Sequence, residues 1–328
     1  MRLALARNRF RLYVVAAVLA AVASFVPTPF SLMLPGRAVD LRQVVSVEGR
    51  ATPSTPFFLT DVRFASHVTP LQLVAGILPG ASIFRTRQIV PGSMTAVEYE
   101  GVEREAMSES QSIAAVVAER AAGLKVPYPR SRVLVVYFSP SSRASHVLKP
   151  LDMLVALNGH PIASNTDVIH ALAGVRPGSM VRMSLIRHGV EMTLGVPTIR
   201  YGDRTALGAY LTTIYQRPHI PVAVAFHLPD VSGSSGGLMF ALDIYRRLRP
   251  HALHVTQPVA GTGTIAYDGS IGPIEGASQK VIAARRAGAK IFLVPKENYQ
   301  EVKGTRGIRV ISVSTFRQAL KALGAKKP

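Results

Sequence analysis

Cysteine is absent from the chain, which excludes disulfides, thiol catalysis, iron–sulfur clusters and cysteine-ligated zinc. The nine histidines show no HExxH or comparable ligand spacing, so neither a metal nor a cofactor is expected. No Gly-Lys dipeptide occurs, and without a Walker A lysine there is no P-loop to cradle nucleotide phosphates. Acidic residues are scarce: 19 stand against 38 Lys and Arg, a net charge of +19. Such a surplus favours anionic partners. It is spread through every region, however, with no aromatic-interleaved basic stripe, zinc-finger or RNP signature, so nucleic acid is not an expected partner. A basic surface beside anionic membrane lipid fits the distribution better.

What is present suggests several parts. A length of 328 residues, with 48% hydrophobic and 17% charged, suits two or three folded domains and excludes a disordered chain. Arg2, Arg7, Arg9 and Arg11 precede an uncharged stretch from Leu12 to Gly36 whose apolar heart is Leu12 to Val26. This predicts a single-pass anchor over 1–36 with a cytoplasmic N-terminus and the remainder outside. The competing reading is a cleaved signal peptide, with Ala21-Val22-Ala23 as the processing site.

Three further regions follow. Residues 37–125 read as short strands punctuated by Pro and Gly, then a helix around Met107 to Gly123. They carry no expected chemistry, and the polar tract Ser108 to Ser112 reads as capping or solvated. Residues 126–198 alternate between strand, turn and helix: Arg132 to Phe138, Leu154 to Leu157 before Asn158-Gly159, a helix capped by Asn165 and running to Ala173, and two strands joined at His188-Gly189. Residues 199–328 give strand Val222 to Leu228, a Gly/Ser turn, helix Gly237 to Arg246, a hairpin at Asp268-Gly269 and helix Ala277 to Ala287. Strands Ile291 to Val294 and Ile308 to Ser312 and a last helix from Thr315 to Leu323 complete the pattern. The expected fold class is α/β (α+β), with an anchor, a small mixed region and two domains.

The chemistry concentrates in the last region. Gly233-Ser234-Ser235-Gly236-Gly237 opens directly onto an apolar helix. A hydroxyl there sits among unpaired N–H groups at the positive end of the helix dipole, where an oxyanion is stabilised. Taken alone, such a turn is as well explained as a flexible loop or cap. A serine nucleophile needs a base, and lysine is one known solution. Lys280 stands among small apolar neighbours in Ala277 to Ala284; the plainer alternative is a surface lysine on an amphipathic helix.

Two resemblances sharpen this. Ser139-Pro140, Lys149-Pro150-Leu151-Asp152 and Asn158-Gly159-His160-Pro161-Ile162 resemble bacterial PDZ domains of the protease-associated kind. That resemblance implies a groove for an added peptide strand between 132–138 and the helix 165–173; the plainer alternative is a domain that only packs against its neighbour. Leu151 stands where the family has Gly, which predicts a different backbone conformation there.

The segment from Thr262-Gly263 through Asn298 resembles the proteolytic domain of Lon-type proteases, including Ala283-Ala284-Arg285-Arg286-Ala287-Gly288 and Pro295-Lys296-Glu297-Asn298. It implies Ser235 as nucleophile and Lys280 as dyad lysine, with Thr262 orienting the amine or serving only as a strand residue. Gly233, Ser234 and Gly236 form the supporting turn, and His227 is a structural strand position. Ser234 replaces a family Pro, Gly236 an Ala and Glu275 a Gly, and the loop from Pro229 to Gly233 is short; a looser turn is expected. Anchor, PDZ and Lon-type domain in this order, with Met107-Ser108-Glu109-Ser110-Gln111, are similar to the membrane-anchored, PDZ-containing Lon-type secreted proteases of Gram-positive bacteria. That resemblance implies an ATP-independent serine endopeptidase acting on unfolded or tail-exposed proteins, and leaves room for a homo-oligomer, since Lon-type domains assemble as rings. The rival reading from another class is a catalytically weak PDZ scaffold at the membrane.

Overall fold

The computed structural model describes residues 14, 21, 24–77, 79–86, 96–128, 131–215, 219–228 and 233–325, with backbone alone for 96–100. Residues 1–23 of the expected anchor, apart from 14 and 21, and with them most of the expected processing site, lie outside the described residues, as does the loop 229–232; the far end expected of the anchor is instead strand, from Phe30 onward. Among the described residues, no helix is long and apolar enough to cross a membrane. The chain separates into two units, Met1–Val126 with Ile220–Pro328, and Pro127–His219.

This division differs from the boundaries expected of the sequence. Residues 37–125 are no region of their own: strands β1 (Phe30–Asp40), β2 (Val45–Val47), β3 (Phe57–Ala65) and β4 (Ser82–Arg85) and the 26-residue helix α1 (Ala96–Ala121) all belong to the first unit. The helix begins well before the expected Met107. Residues 199–219 belong to the second unit instead of opening the last domain.

The second unit holds β5 (Ser131–Phe138), β6 (Met153–Leu157), β7 (His160–Pro161), helix α2 (Asn165–Leu172), β8 (Met180–Arg187), β9 (Val190–Pro197), β10 (Ile199–Tyr201), β11 (Arg204–Ala206) and β12 (Ala209–Tyr215). Its main sheet runs β12-β5-β6-β8-β9. Alternate residues Val133, Val135, Leu154, Leu157, Val181, Met183 and Leu185 face inward, where α2 adds Val168 and Leu172, as a half-buried antiparallel sheet requires. The helix is capped one residue earlier than expected: Ser164 accepts from Asp167 N–H while the Asp167 carboxylate accepts from Ser164 N–H, a capping box. Leu151 itself takes up a left-handed backbone that favours glycine, at φ 71°. Both edges of β5 are filled, by β12 and β6, which corrects the expected peptide groove beside 132–138. The strand with an outer edge next to α2 is β12.

The chain re-enters the first unit with β13 (Val224–Phe226), helix α3 (Gly237–Leu248), β14 (Val259–Gly261), β15 (Thr264–Ile265), β16 (Ile271–Gly272), helix α4 (Ala277–Arg286), β17 (Ile291–Pro295), β18 (Arg309–Val313) and helix α5 (Phe316–Ala322). A six-stranded sheet in the order β18-β17-β14-β3-β1-β4 joins both halves. Its central seam is parallel, with Phe57 opposite Val259 and Leu59 opposite Gly261. Side chains alternate across it. Val259 and Leu293 point to the face covered by α3 and α1, and Ala260, Phe292 and Val294 to the face covered by Ala277, Val281 and Ala284 of α4. The two helices that carry the candidate dyad thus grip opposite faces of one sheet.

Candidate functional site

Ser235 lies in a 3-10 turn, Ser234–Gly236, that runs into the N-terminus of α3. Gly233 leads into that turn at φ 92°, a conformation that favours glycine, and its N–H donates to the Glu103 carbonyl at 2.9 Å. Gly236 is buried, and a Cβ there would stand 2.9 Å from both Leu59 and Phe240. The space an alanine methyl would take is therefore filled by neighbours, and the turn is not loose.

Lys280 sits in the first turn of α4, behind Gly276 in the left-handed conformation. Its Nζ reaches Ser235 Oγ at 2.7 Å and Thr262 Oγ1 at 3.5 Å. Thr262 is fully buried and just past β14. Its hydroxyl donates to the Ser235 carbonyl at 3.1 Å, Gly263 N–H donates to the same carbonyl at 2.8 Å, and Leu238 N–H returns to the Gly263 carbonyl at 3.1 Å. The backbone of Ser235 is thereby tied to the 262–263 segment, and three sequence-distant residues meet within one hydrogen-bonding neighbourhood.

The electrostatics follow from the burial. Lys280 is only 4% exposed, and removal from water pulls its amine from 10.5 to about 8, against the opposing pull of Asp61, Glu275 and Glu103. At that value a sizeable fraction of the amine is neutral near pH 7 to 8 and can accept a proton. His227, by contrast, takes a structural place at the end of β13, where its N–H donates to the Val44 carbonyl at 2.8 Å.

Two contributors escape the sequence reading. Ser110, on α1, is 3% exposed and donates to the Ser234 carbonyl at 3.0 Å. Glu103, on the same helix, supplies the carbonyl that receives Gly233. Both come from the region expected to carry no chemistry. The signal for Ser110 was available: with Met107, Ala114 and Val117 it lies on the 3-4 spaced stripe that α1 buries, a poor place for a merely solvated serine.

Comparison with known proteins bears on both units. Residues 212–323 match the family model of the Lon protease (S16) C-terminal proteolytic domain, and residues 109–198 match that of the PDZ domain. Lon protease 2 of Bacillus subtilis (strain 168) is 34% identical over 99 residues, covering 30% of this chain and 18% of that protein. The Lon protease of Campylobacter concisus (strain 13826) is 34% identical over 123 residues, covering 35% and 15%. The chain thus spans less than a fifth of the length of these curated relatives. Among solved structures, the PDZ domain of an SdrC-like protein from Listeria monocytogenes is 18% identical with a TM-score of 0.24, covering 27% of this chain and 93% of that one. The chain carries a Lon-type (S16) serine-peptidase domain and a PDZ domain, and the strands from 30 to 65 complete the sheet of the former although its family match starts at 212.

Proposed function

We propose that the protein is a membrane-anchored, ATP-independent serine endopeptidase in which Ser235 and Lys280 form the catalytic dyad. The observation that carries this reading is the 2.7 Å approach of a buried, acidified lysine amine to a serine hydroxyl. Neutral Lys280 takes the hydroxyl proton as Ser235 Oγ bonds to the scissile carbonyl carbon. The oxyanion that results is received by backbone N–H groups of the turn entering α3. Collapse breaks the C–N bond, the protonated Lys280 gives its proton to the leaving amine, and an ester to Ser235 remains. Water then attacks with Lys280 as base, and Ser235 recovers its proton as the acid product leaves. Thr262 holds the Ser235 carbonyl and lies within reach of the amine.

The PDZ unit contributes recognition. An extended peptide added along the outer edge of β12, beside α2, follows the strand-addition mode. Asn165 Nδ2 already donates to the Leu211 carbonyl at 3.0 Å on that side, so an incoming strand has to share or displace this contact. Membrane attachment is supported by the uncharged apolar stretch from Leu12 to Val26 behind four arginines, and ATP independence by the lack of a Gly-Lys dipeptide.

The deciding experiment incubates the full chain in vesicles with an unfolded protein, without nucleotide, beside a Ser235→Ala control, and treats both with an active-site serine probe. Cleavage and labelling of wild type alone support the dyad. Peptide binding with neither cleavage nor labelling favours the scaffold reading, and activity that appears only with ATP removes the motor-free part of the proposal.

A further inference from the structure

The peptide unit joining Ser234 to Ser235 is held from behind. Its carbonyl accepts Gly237 N–H across the 3-10 turn and, from a different helix, the Ser110 hydroxyl at 3.0 Å. Because a trans peptide is planar, with C=O and N–H pointing in opposite directions, fixing that carbonyl fixes the direction of Ser235 N–H. This donor lies at the opening of α3, where the first N–H groups of a helix have no intrahelical partner. It is the N–H nearest the attacking Oγ in covalent terms, and the natural first donor to the oxyanion.

We infer that Ser110 is a positioning residue of the peptidase: its hydroxyl, delivered from α1, locks the Ser234–Ser235 peptide so that Ser235 N–H faces the developing oxyanion. The inference rests on the Ser235–Lys280 reading and adds to it a residue from the region before the PDZ unit.

Three further observations agree. Ser110 is 3% exposed, so water does not compete for the hydroxyl. Gly237 leaves room for it: a Cβ at 237 would fall 2.8 Å from Ser110 Oγ, so the glycine and the serine fit as a pair. Two turns earlier on α1, the Glu103 carbonyl receives Gly233 N–H at 2.9 Å, so the same helix holds the nucleophile turn at two points. A serine serving only the packing of α1 would have its needs met within its own helix, as Ser112 does by donating to the Ser108 carbonyl.

The test compares full-length wild type, Ser110→Ala and Ser110→Gly in membrane vesicles, measuring kcat, KM and inhibition by a peptide boronic acid. The boronate forms a bond from Ser235 Oγ to boron, and one boron-bound oxygen occupies the oxyanion position. Removing one oxyanion donor outright costs about a hundredfold or more in kcat; loosening its aim should cost about 10- to 100-fold, with KM unchanged and boronate affinity lowered by a similar factor. Melting temperature should fall by no more than one lost hydrogen bond and, for Ser110→Gly, a helix-interior glycine entail, and the pH inflection of the remaining activity should match wild type. Wild-type kcat and boronate affinity in both variants would overturn the inference and leave the dyad intact. So would a kcat loss that merely tracks a lower melting temperature while the folded fraction binds boronate normally. Failure of wild type to form the Ser235 adduct would instead remove the dyad reading, and this inference with it.

Discussion

Asp152 of the PDZ unit and Lys280 of the peptidase unit are both buried charge-bearing side chains, and they are treated in opposite ways. In the PDZ unit, Asp152 is 1% exposed. Burial alone would raise its carboxyl, but Arg187 donates to both oxygens at 2.7 Å and Lys149 N–H adds a third bond at 2.7 Å, so the group ends below its ordinary value. In the peptidase unit, Lys280 is buried as deeply, yet among the described residues it has no carboxylate at salt-bridge distance; Asp61, Glu275 and Glu103 act only through space. Its contacts are two hydroxyls. A buried charge kept for architecture comes with its counter-charge and a full set of hydrogen bonds. One left with hydroxyls alone destabilises the fold and acquires a proton affinity useful near neutral pH.

The largest effect is expected from breaking the unpaired side. Lys280→Ala and Ser235→Ala should each lower kcat/KM by about a thousandfold or more, and their combination should cost little beyond either, because the two act as a unit. Lys280→Arg should be as inactive, since guanidinium does not deprotonate. Steady-state proteolysis by the full chain decides this, and a folded Lys280→Ala enzyme with normal turnover would end the contrast drawn here.

The same lysine should reverse sign in a stability measurement. Unfolded, its amine titrates near 10.4; folded, it titrates at about 8. Below pH 8 both states hold the proton and the native state bears the full cost. Between 8 and 10.4 the unfolded state holds more protons, so stability rises with pH, and above that window the cost is gone. Lys280→Met should therefore stabilise by about 3 kcal/mol at pH 7, a gain that fades towards pH 10.5 in urea titrations. Turnover of wild type follows the same proton, rising about tenfold per pH unit below 8 and levelling above it. A flat rate profile between pH 6 and 8 would contradict the assigned base.

On the paired side the expected effects are smaller. Arg187→Ala leaves the Asp152 carboxylate buried with one backbone donor and should cost about 2 kcal/mol, less than a fully enclosed pair because Arg187 is partly exposed. Hydrogen exchange of β6 and β8 in the intact protein reads this locally. Next to that carboxylate, Leu151 holds a left-handed backbone at φ 71° while 76% exposed. Leu151→Gly should gain about 1 kcal/mol by relieving that conformation without touching the ion pair; no change in melting temperature would mean the turn bears no strain.

Legibility in the sequence followed the range of the interactions. Helix 277–286, strand 291–295 and the hairpin at Asp268-Gly269 carry local periodicity and turn chemistry, and each was readable to within a residue or two. The meeting of Ser235 with Lys280 was expected through the resemblance to Lon-type domains, which rests on a few residues in fixed order. The pairing of β3 with β14 was not, since Phe57 and Val259 are some two hundred residues apart and parallel partners leave no joint pattern in either segment. For the same reason β12 was separated from β5, and the peptide groove was placed on the wrong strand. Ser110 was missed because its importance lies in the carbonyl it meets on another element. Leu151 was misjudged because a left-handed leucine is unfavourable but affordable when the surrounding turn demands it.

The insertion of residues 127–219 between the two halves of the peptidase unit also sets an order of assembly during synthesis. The inserted unit can close as soon as β12 has been made, whereas β3, already able to pair with β1, has to wait for β14 to cover its other edge. Contacts across such a separation form slowly, and until they do the edge of β3 stays open as a template for pairing. Ser235 and Lys280 come from the later half, and the sheet between their helices from both. The peptidase sheet is therefore completed only after the inserted PDZ unit can already have folded.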